Sequence, residues 1–146
     1  MLDTSTVISM QQLTDPEVLP REPLITAVTL AELSAGPLVA RTDRERATRQ
    51  AHLQQAEADF EPLPFDRAAA HSFGQVAASL RRTGRKTAAR AYDAMIAATA
   101  MANGLPVCTC DPDGFRGIEG LGVIPVPVPG SSSPAAAGEE DNGTVA

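Results

Sequence analysis

Tryptophan is absent from this chain, tyrosine occurs once and phenylalanine four times, so a core built on aromatic packing is excluded and the interior must be aliphatic. No run approaches the roughly 18 apolar residues of a membrane span, and the N-terminus lacks a basic region followed by an apolar stretch. The reading is a cytoplasmic chain without a membrane segment. Histidine and cysteine are scarce, at two each. Cys108 and Cys110 stand two apart in VCTC, where a strand points both to one face without disulfide geometry. His52 and His71 lie alone in helical-looking stretches, which offers no zinc-ligand spacing.

What remains is one alanine-rich domain of 146 residues, 43% hydrophobic and long enough to bury a single core. The net charge of −6 includes Glu139, Glu140 and Asp141 of a tail, residues 130–146, that carries no Lys or Arg. That tail is small, polar and acidic, so disorder is expected there, with a folded domain over residues 1–129. Within the domain the cations bunch: Arg81, Arg82, Arg85, Lys86 and Arg90 are five of the chain's twelve. Such a cluster is commonly a solvated helix end, and it is also how an acidic protein can hold a phosphate backbone.

Residues 24–28 form a short β-prone run, followed by a capping-box pattern with Thr29 as N-cap, Glu32 three residues on, and Gly36 as the stop. Residues 42–59 read as a helix with a thin apolar stripe. FEPLPF reads as a short strand, after which Asp66 caps a helix ending at Thr83 and Gly84. A further helix over residues 91–103 stops at Asn103-Gly104, LPVCTC is a strand, DPDG a turn, and GLGVIPV a last strand. This alternation predicts a three-layer α/β/α fold with a mostly parallel central sheet.

In such a sheet, ligands gather outside the carboxyl ends of the strands. Four acids are expected at that edge: Asp3, Glu32, Asp93 and Asp111. Singly, Glu32 has a bland reading as a capping-box residue, Asp93 as a complement to a helix N-terminus, and Asp111 and Asp113 as turn residues. Asp3, set among Leu2, Val7 and Ile8, is hardest to explain that way, because a buried carboxylate needs a partner. Together, four acids at one edge repel unless a cation neutralises them. Oxygen-only ligands point to Mg²⁺ or Mn²⁺, and that chemistry suits phosphodiester hydrolysis.

The segments MLDTS, ITAVTLAEL, AYDAMIAATAMANGLPVCTCDPDGF and GLGVIPV, spanning residues 1–128, resemble the PIN-domain ribonucleases, in particular the VapC toxins of bacterial toxin–antitoxin pairs. The most specific piece is D-A-M-I-A-A followed by T-x-D-x-x-x-F, here Thr109, Asp111 and Phe115. The resemblance implies an acidic quartet of Asp3, Glu32, Asp93 and Asp111 holding one or two Mg²⁺ ions. Asp3 and Asp93 are the firmest ligands by that analogy. Glu32 binds metal or orients the attacking water, and Asp111 completes the site, with its neighbour Asp113 able to substitute. Ser5 and Thr109 match hydroxyl positions close to the acids. A VapB-type antitoxin that blocks the site, an RNA substrate and a homodimer are implied in the same way. Two departures stand out: only two residues precede Asp3, and TCDP puts Cys110 where relatives often carry a basic side chain.

Two other readings compete. A haloacid-dehalogenase-type phosphatase needs D-x-D-x-T, and position 5 here is serine. A catalytically degenerate PIN scaffold acting as a binding module has no need for four clustered acids. For the enzyme reading, Arg82, Arg85 and Lys86 are the expected RNA-backbone contacts. With so few aromatics, base stacking has little to build on, and recognition is expected to rest on shape and backbone.

Overall fold

The computed structural model describes residues 1–129; the tail expected over residues 130–146 lies outside the described residues. Among the described residues, five α-helices form most of the regular structure: α1 (Thr4–Ser9), α2 (Ala27–Ala35), α3 (Asp43–Asp59), α4 (Arg67–Arg82) and α5 (Ala91–Ala102). The strands are short. β1 (Val107–Thr109) pairs in parallel with β2 (Val123–Pro125), with Cys108 opposite Ile124. Parallel bridges Leu2↔Cys108 and Thr26↔Leu63 extend the arrangement, and the Leu2 N–H donates to the Leu24 carbonyl at 2.7 Å. Extended segments therefore lie side by side in the order 63, 24–26, 2, β1, β2.

Alternation along these segments builds the layers. Met1 and Val107 point into one cluster with Val76, Leu80, Ile96 and Phe115, whereas Leu2 and Cys108 point into the other with Val7, Ile25, Leu33 and Ala56. Side chains of adjacent residues leave a strand on opposite faces, so one thin sheet supports a core on each side. The first core lies under α4 and α5, where the fully buried Ala94, Ala97, Ala98 and Ala100 let the two helices approach closely. The second lies under α1, α2 and α3. Cys108 and Cys110 both belong to this second side and are free thiols.

The expected cap at Asp66 and stop at Asn103 are formed, and Thr42 adds a further cap. Thr42 caps α3 through a hydrogen bond from the Glu45 N–H, Asp66 caps α4 through the Ala69 N–H, and α5 closes on Asn103 before Gly104 at φ +65°. The α2 boundary differs from expectation. Its N-cap is Thr26, whose hydroxyl accepts from the Thr29 N–H at 3.1 Å, and Gly36 closes it as expected. The capping-box pairing of Thr29 with Glu32 is therefore not made. Among the described residues, no helix is long and apolar enough to cross a membrane.

Candidate active site

Asp3 is the most deeply buried of the four acids. It is 3% exposed and caps α1, its Oδ1 accepting from the Thr6 N–H at 3.0 Å. Ser5 Oγ lies 2.9 Å from both carboxylate oxygens, and the Thr109 hydroxyl donates to Oδ2 at 2.6 Å. Thr109 in turn accepts the Asp111 N–H at 2.9 Å, so one hydroxyl ties Asp3 to the turn that follows β1. Ser5 accepts the Cys110 N–H at 3.2 Å and makes a second such tie. Charge-assisted hydrogen bonds of this kind replace the water a buried carboxylate loses.

Glu32, freed from a capping role, sits half-buried in the middle of α2 and accepts from the Thr4 hydroxyl at 2.7 Å. That hydroxyl is also 3.1 Å from Thr29 Oγ1. Thr4 was not singled out in the sequence, although it stands beside Asp3 in MLDTS. Burial pushes the Glu32 carboxyl up, the Thr4 hydrogen bond works against this, and the Asp3 charge adds to the rise.

Asp93 lies in the first turn of α5 and feels all the other acids. Its pKa is raised from 3.8 to about 6 by burial first, then by Asp3, Glu32 and Asp111, with Arg90 opposing. Asp111 is exposed at the start of the Pro112–Phe115 turn. Gly114 completes the enclosure. A Cβ there would lie 2.7 Å from Asp93 Oδ2, 3.5 Å from Asp111 Oδ2 and 3.6 Å from Arg90 Nη1. The missing side chain is what lets this turn close over Asp93, a role the DPDG turn signature does not reveal.

The expected basic contacts divide. Arg85 is turned inward: its side chain is 13% exposed and Nη1 donates to the carbonyls of Asp113 at 2.8 Å and Arg116 at 2.7 Å. Arg82 pairs with Glu119 at 3.1 Å, and Lys86 is exposed. Asp113 faces three guanidinium groups, of Arg85 and Arg90 at 3.6 Å and Arg116 at 3.2 Å. One carboxylate among three cations leaves surplus positive charge beside the acids.

The donor set suits a hard divalent cation. It is all oxygen, and it concentrates negative charge that burial leaves poorly solvated. Among the described residues, no group of three or more His, Cys, Asp or Glu side chains is arranged to hold a metal ion by itself. The four acids come from four separate segments of the chain, with Asp3 buried and Asp111 exposed. This fits a cation such as Mg²⁺, which keeps several waters and takes one or two carboxylates together with substrate phosphates.

Asp93 binds its proton more tightly in the folded protein than in the unfolded chain, so its contribution is complete below about pH 3.8 and is lost as pH rises through about 6. A divalent cation should offset that loss at neutral pH and do little where the proton already occupies the carboxyl. The stabilisation on adding millimolar Mn²⁺, followed as a rise in Tm, is therefore expected to be larger at pH 7.5 than at pH 5, up to about 2.7 kcal/mol of unfolding free energy at a hundredfold excess over Kd. Equal gains at both pH values would remove Asp93 from the binding site.

The PIN-domain family model matches residues 1–121. Ribonuclease VapC5 of Mycobacterium tuberculosis (strain ATCC 25618 / H37Rv) is 38% identical over 128 residues, covering 86% of this chain and 92% of that protein. In the crystal structure of VapBC-5, a member of the VapBC family of toxin–antitoxin systems from the same species, the matched chain is 41% identical with a TM-score of 0.75, over 86% of this chain and 96% of that one. FitAcB of Neisseria gonorrhoeae matches at 28% identity and a TM-score of 0.64, over 84% and 94%.

Proposed function

The chain belongs to the PIN-domain family, and from that premise we propose that it is a metal-dependent endoribonuclease, the toxin of a VapBC-type pair, with Mg²⁺ as its cation. The observation that carries this reading is the convergence of Asp3, Glu32 and Asp111 on Asp93, a concentration of like charge that folding alone does not require.

Asp93 and Asp111 are the carboxylates best placed to hold the cation, since both border the space over Gly114. Asp3 supports it from below with its charge while its oxygens are held by Ser5, Thr6 and Thr109. A Mg²⁺ ion bound there supplies charge neutralisation for the phosphodiester and acidifies bound water. Thr4 fixes Glu32 through Oε1, which leaves its other oxygen to orient the attacking water and take its proton. Burial raises the Glu32 pKa, which makes its carboxylate a stronger base for that proton. The products are a 5′-phosphate and a 3′-hydroxyl.

The antitoxin partner and a homodimer belong to the same reading. A groove of about 530 Å³ between α1 and α3, lined by Val7, Ile8 and Phe60 together with His52, Gln55 and Asp59, gives a partner segment a seat of mixed polarity. Leu38 and Val39, 87% and 68% exposed, form an apolar surface.

The test is purified protein, freed of any partner, incubated with total cellular RNA in Mg²⁺ and in EDTA, with ends mapped by sequencing. Discrete cuts that vanish in EDTA are expected. Cuts that persist in EDTA would overturn the metal-dependent mechanism, and a folded, cation-binding protein that leaves all RNA intact would favour the degenerate scaffold.

A further inference from the structure

The acids leave the residues just before Asp93 without a role. Residues 88–93 and Glu32 line a surface pocket of about 410 Å³, within the range of about 300–1,000 Å³ typical of small-ligand sites. Ala88, Ala89 and Ala91 keep its wall low. Two larger side chains, Arg90 and Tyr92, complete it beside the catalytic acids.

Tyr92 is the chain's sole tyrosine and is 61% exposed. The phenylalanines are placed otherwise: Phe115 is buried, Phe60 packs against the second core, and Phe65 and Phe73 meet edge to face with ring centroids 6.3 Å apart. A single exposed ring is unremarkable on a protein surface. This ring, however, shares a pocket wall with Asp93, its immediate neighbour in sequence, and with Glu32 from another helix. Arg90 lies on the same wall, its side chain 32% exposed, one of three guanidinium groups sharing the Asp113 carboxylate. A polyanion approaching four acids needs a cation near the point of entry, and an unpaired base needs a flat apolar face.

We propose that this pocket is a nucleotide subsite, in which the Tyr92 ring stacks on an unpaired base next to the scissile bond and Arg90 contacts the adjoining phosphate. The inference rests on the ribonuclease reading and names the substrate class it favours: single-stranded or looped RNA, because a paired base is already stacked in its helix. Stacking accepts any base, so the subsite selects for unpaired structure and not for one of the four letters.

The composition supplies the reporter. Without tryptophan and with one tyrosine, the protein's intrinsic emission comes from Tyr92 alone. The full chain in EDTA is titrated with a short single-stranded RNA and with an abasic strand of equal length, while cleavage of total RNA in Mg²⁺ is followed on the same preparation. Saturable quenching by the base-bearing strand, absent with the abasic one, is expected. Read by anisotropy of an end-labelled strand, which does not need the tyrosine, Tyr92→Ala should weaken binding of the base-bearing strand about tenfold and leave the abasic strand's affinity as it was, with Tyr92→Phe restoring the loss. Arg90→Ala should weaken both strands alike and reduce the salt slope by about one.

Cleavage without quenching, or Tyr92→Ala binding both strands as the wild type does, overturns the subsite and leaves the nuclease reading standing. Neither cleavage nor quenching overturns both. If Tyr92→Ala impairs only the capture of a co-expressed antitoxin, the pocket belongs to a protein partner and the proposal is wrong.

Discussion

Asp93→Asn is expected to reduce RNA cleavage on the order of a thousandfold, several kcal/mol of lost charge stabilisation, while raising the Tm of the metal-free protein. The two effects share one cause. At neutral pH, burial and the charges of Asp3, Glu32 and Asp111 all work against an ionised Asp93. The amide keeps the shape and removes the repulsion, which favours the fold, and it removes a carboxylate of the proposed cation site. Cleavage assays beside thermal unfolding in EDTA check both arms. Wild-type cleavage by the variant would place the site elsewhere. An inactive variant with a lowered Tm would mean that the substitution damaged the fold and that repulsion at Asp93 does not weaken the metal-free protein.

Gly114→Ala should have the second-largest effect, with the opposite balance between activity and structure. Gly114 does not have the left-handed backbone found at Gly84, Gly104, Gly117 and Gly120, so alanine is conformationally acceptable there. What fails is space. The new Cβ would come within 2.7 Å of Asp93 Oδ2, and the carboxylate must swing away or the turn must lift. Displacement on the order of 1 Å at a reacting centre costs about a hundredfold in rate. Because the clash is with the end of a side chain, the stability change should stay within about 1 kcal/mol. Gly74→Ala in α4 is the control, since nothing lies within 4 Å of its Cβ. It should leave cleavage unaltered and stabilise the helix by about 1 kcal/mol. Full activity in Gly114→Ala would show that the turn does not hold Asp93 in its working position.

The α2 boundary shows where sequence reasoning stops. Thr26 and Thr29 are chemically equivalent as N-caps, three residues apart. The extended run ends at Thr26 because Ile25 and Ala27 exchange hydrogen bonds with Leu63, the Leu63 N–H donating to Ile25 and the Ala27 N–H to Leu63. A partner far along the chain thus decided between two locally equal caps. The basic cluster has the same lesson. Its composition is visible in the sequence, yet Arg85 is occupied by carbonyls of residues 113 and 116, whereas Arg90 reaches the site.

The sequence by itself determined the helices α3, α4 and α5, the paired strands β1 and β2, the cap at Asp66, the stop at Asn103, and the identity of the four candidate acids. These rest on local chemistry: side chains that reach their own backbone, and apolar spacing that repeats with the element. Only the tertiary structure decided that Asp3 is held by Ser5, Thr6 and Thr109, that Thr4 orients Glu32, and that Gly114 makes room for Asp93. Each of these last relations, apart from the bonds within the α1 cap, joins residues distant in sequence. Their strength depends on distance and burial, which a linear sequence does not contain.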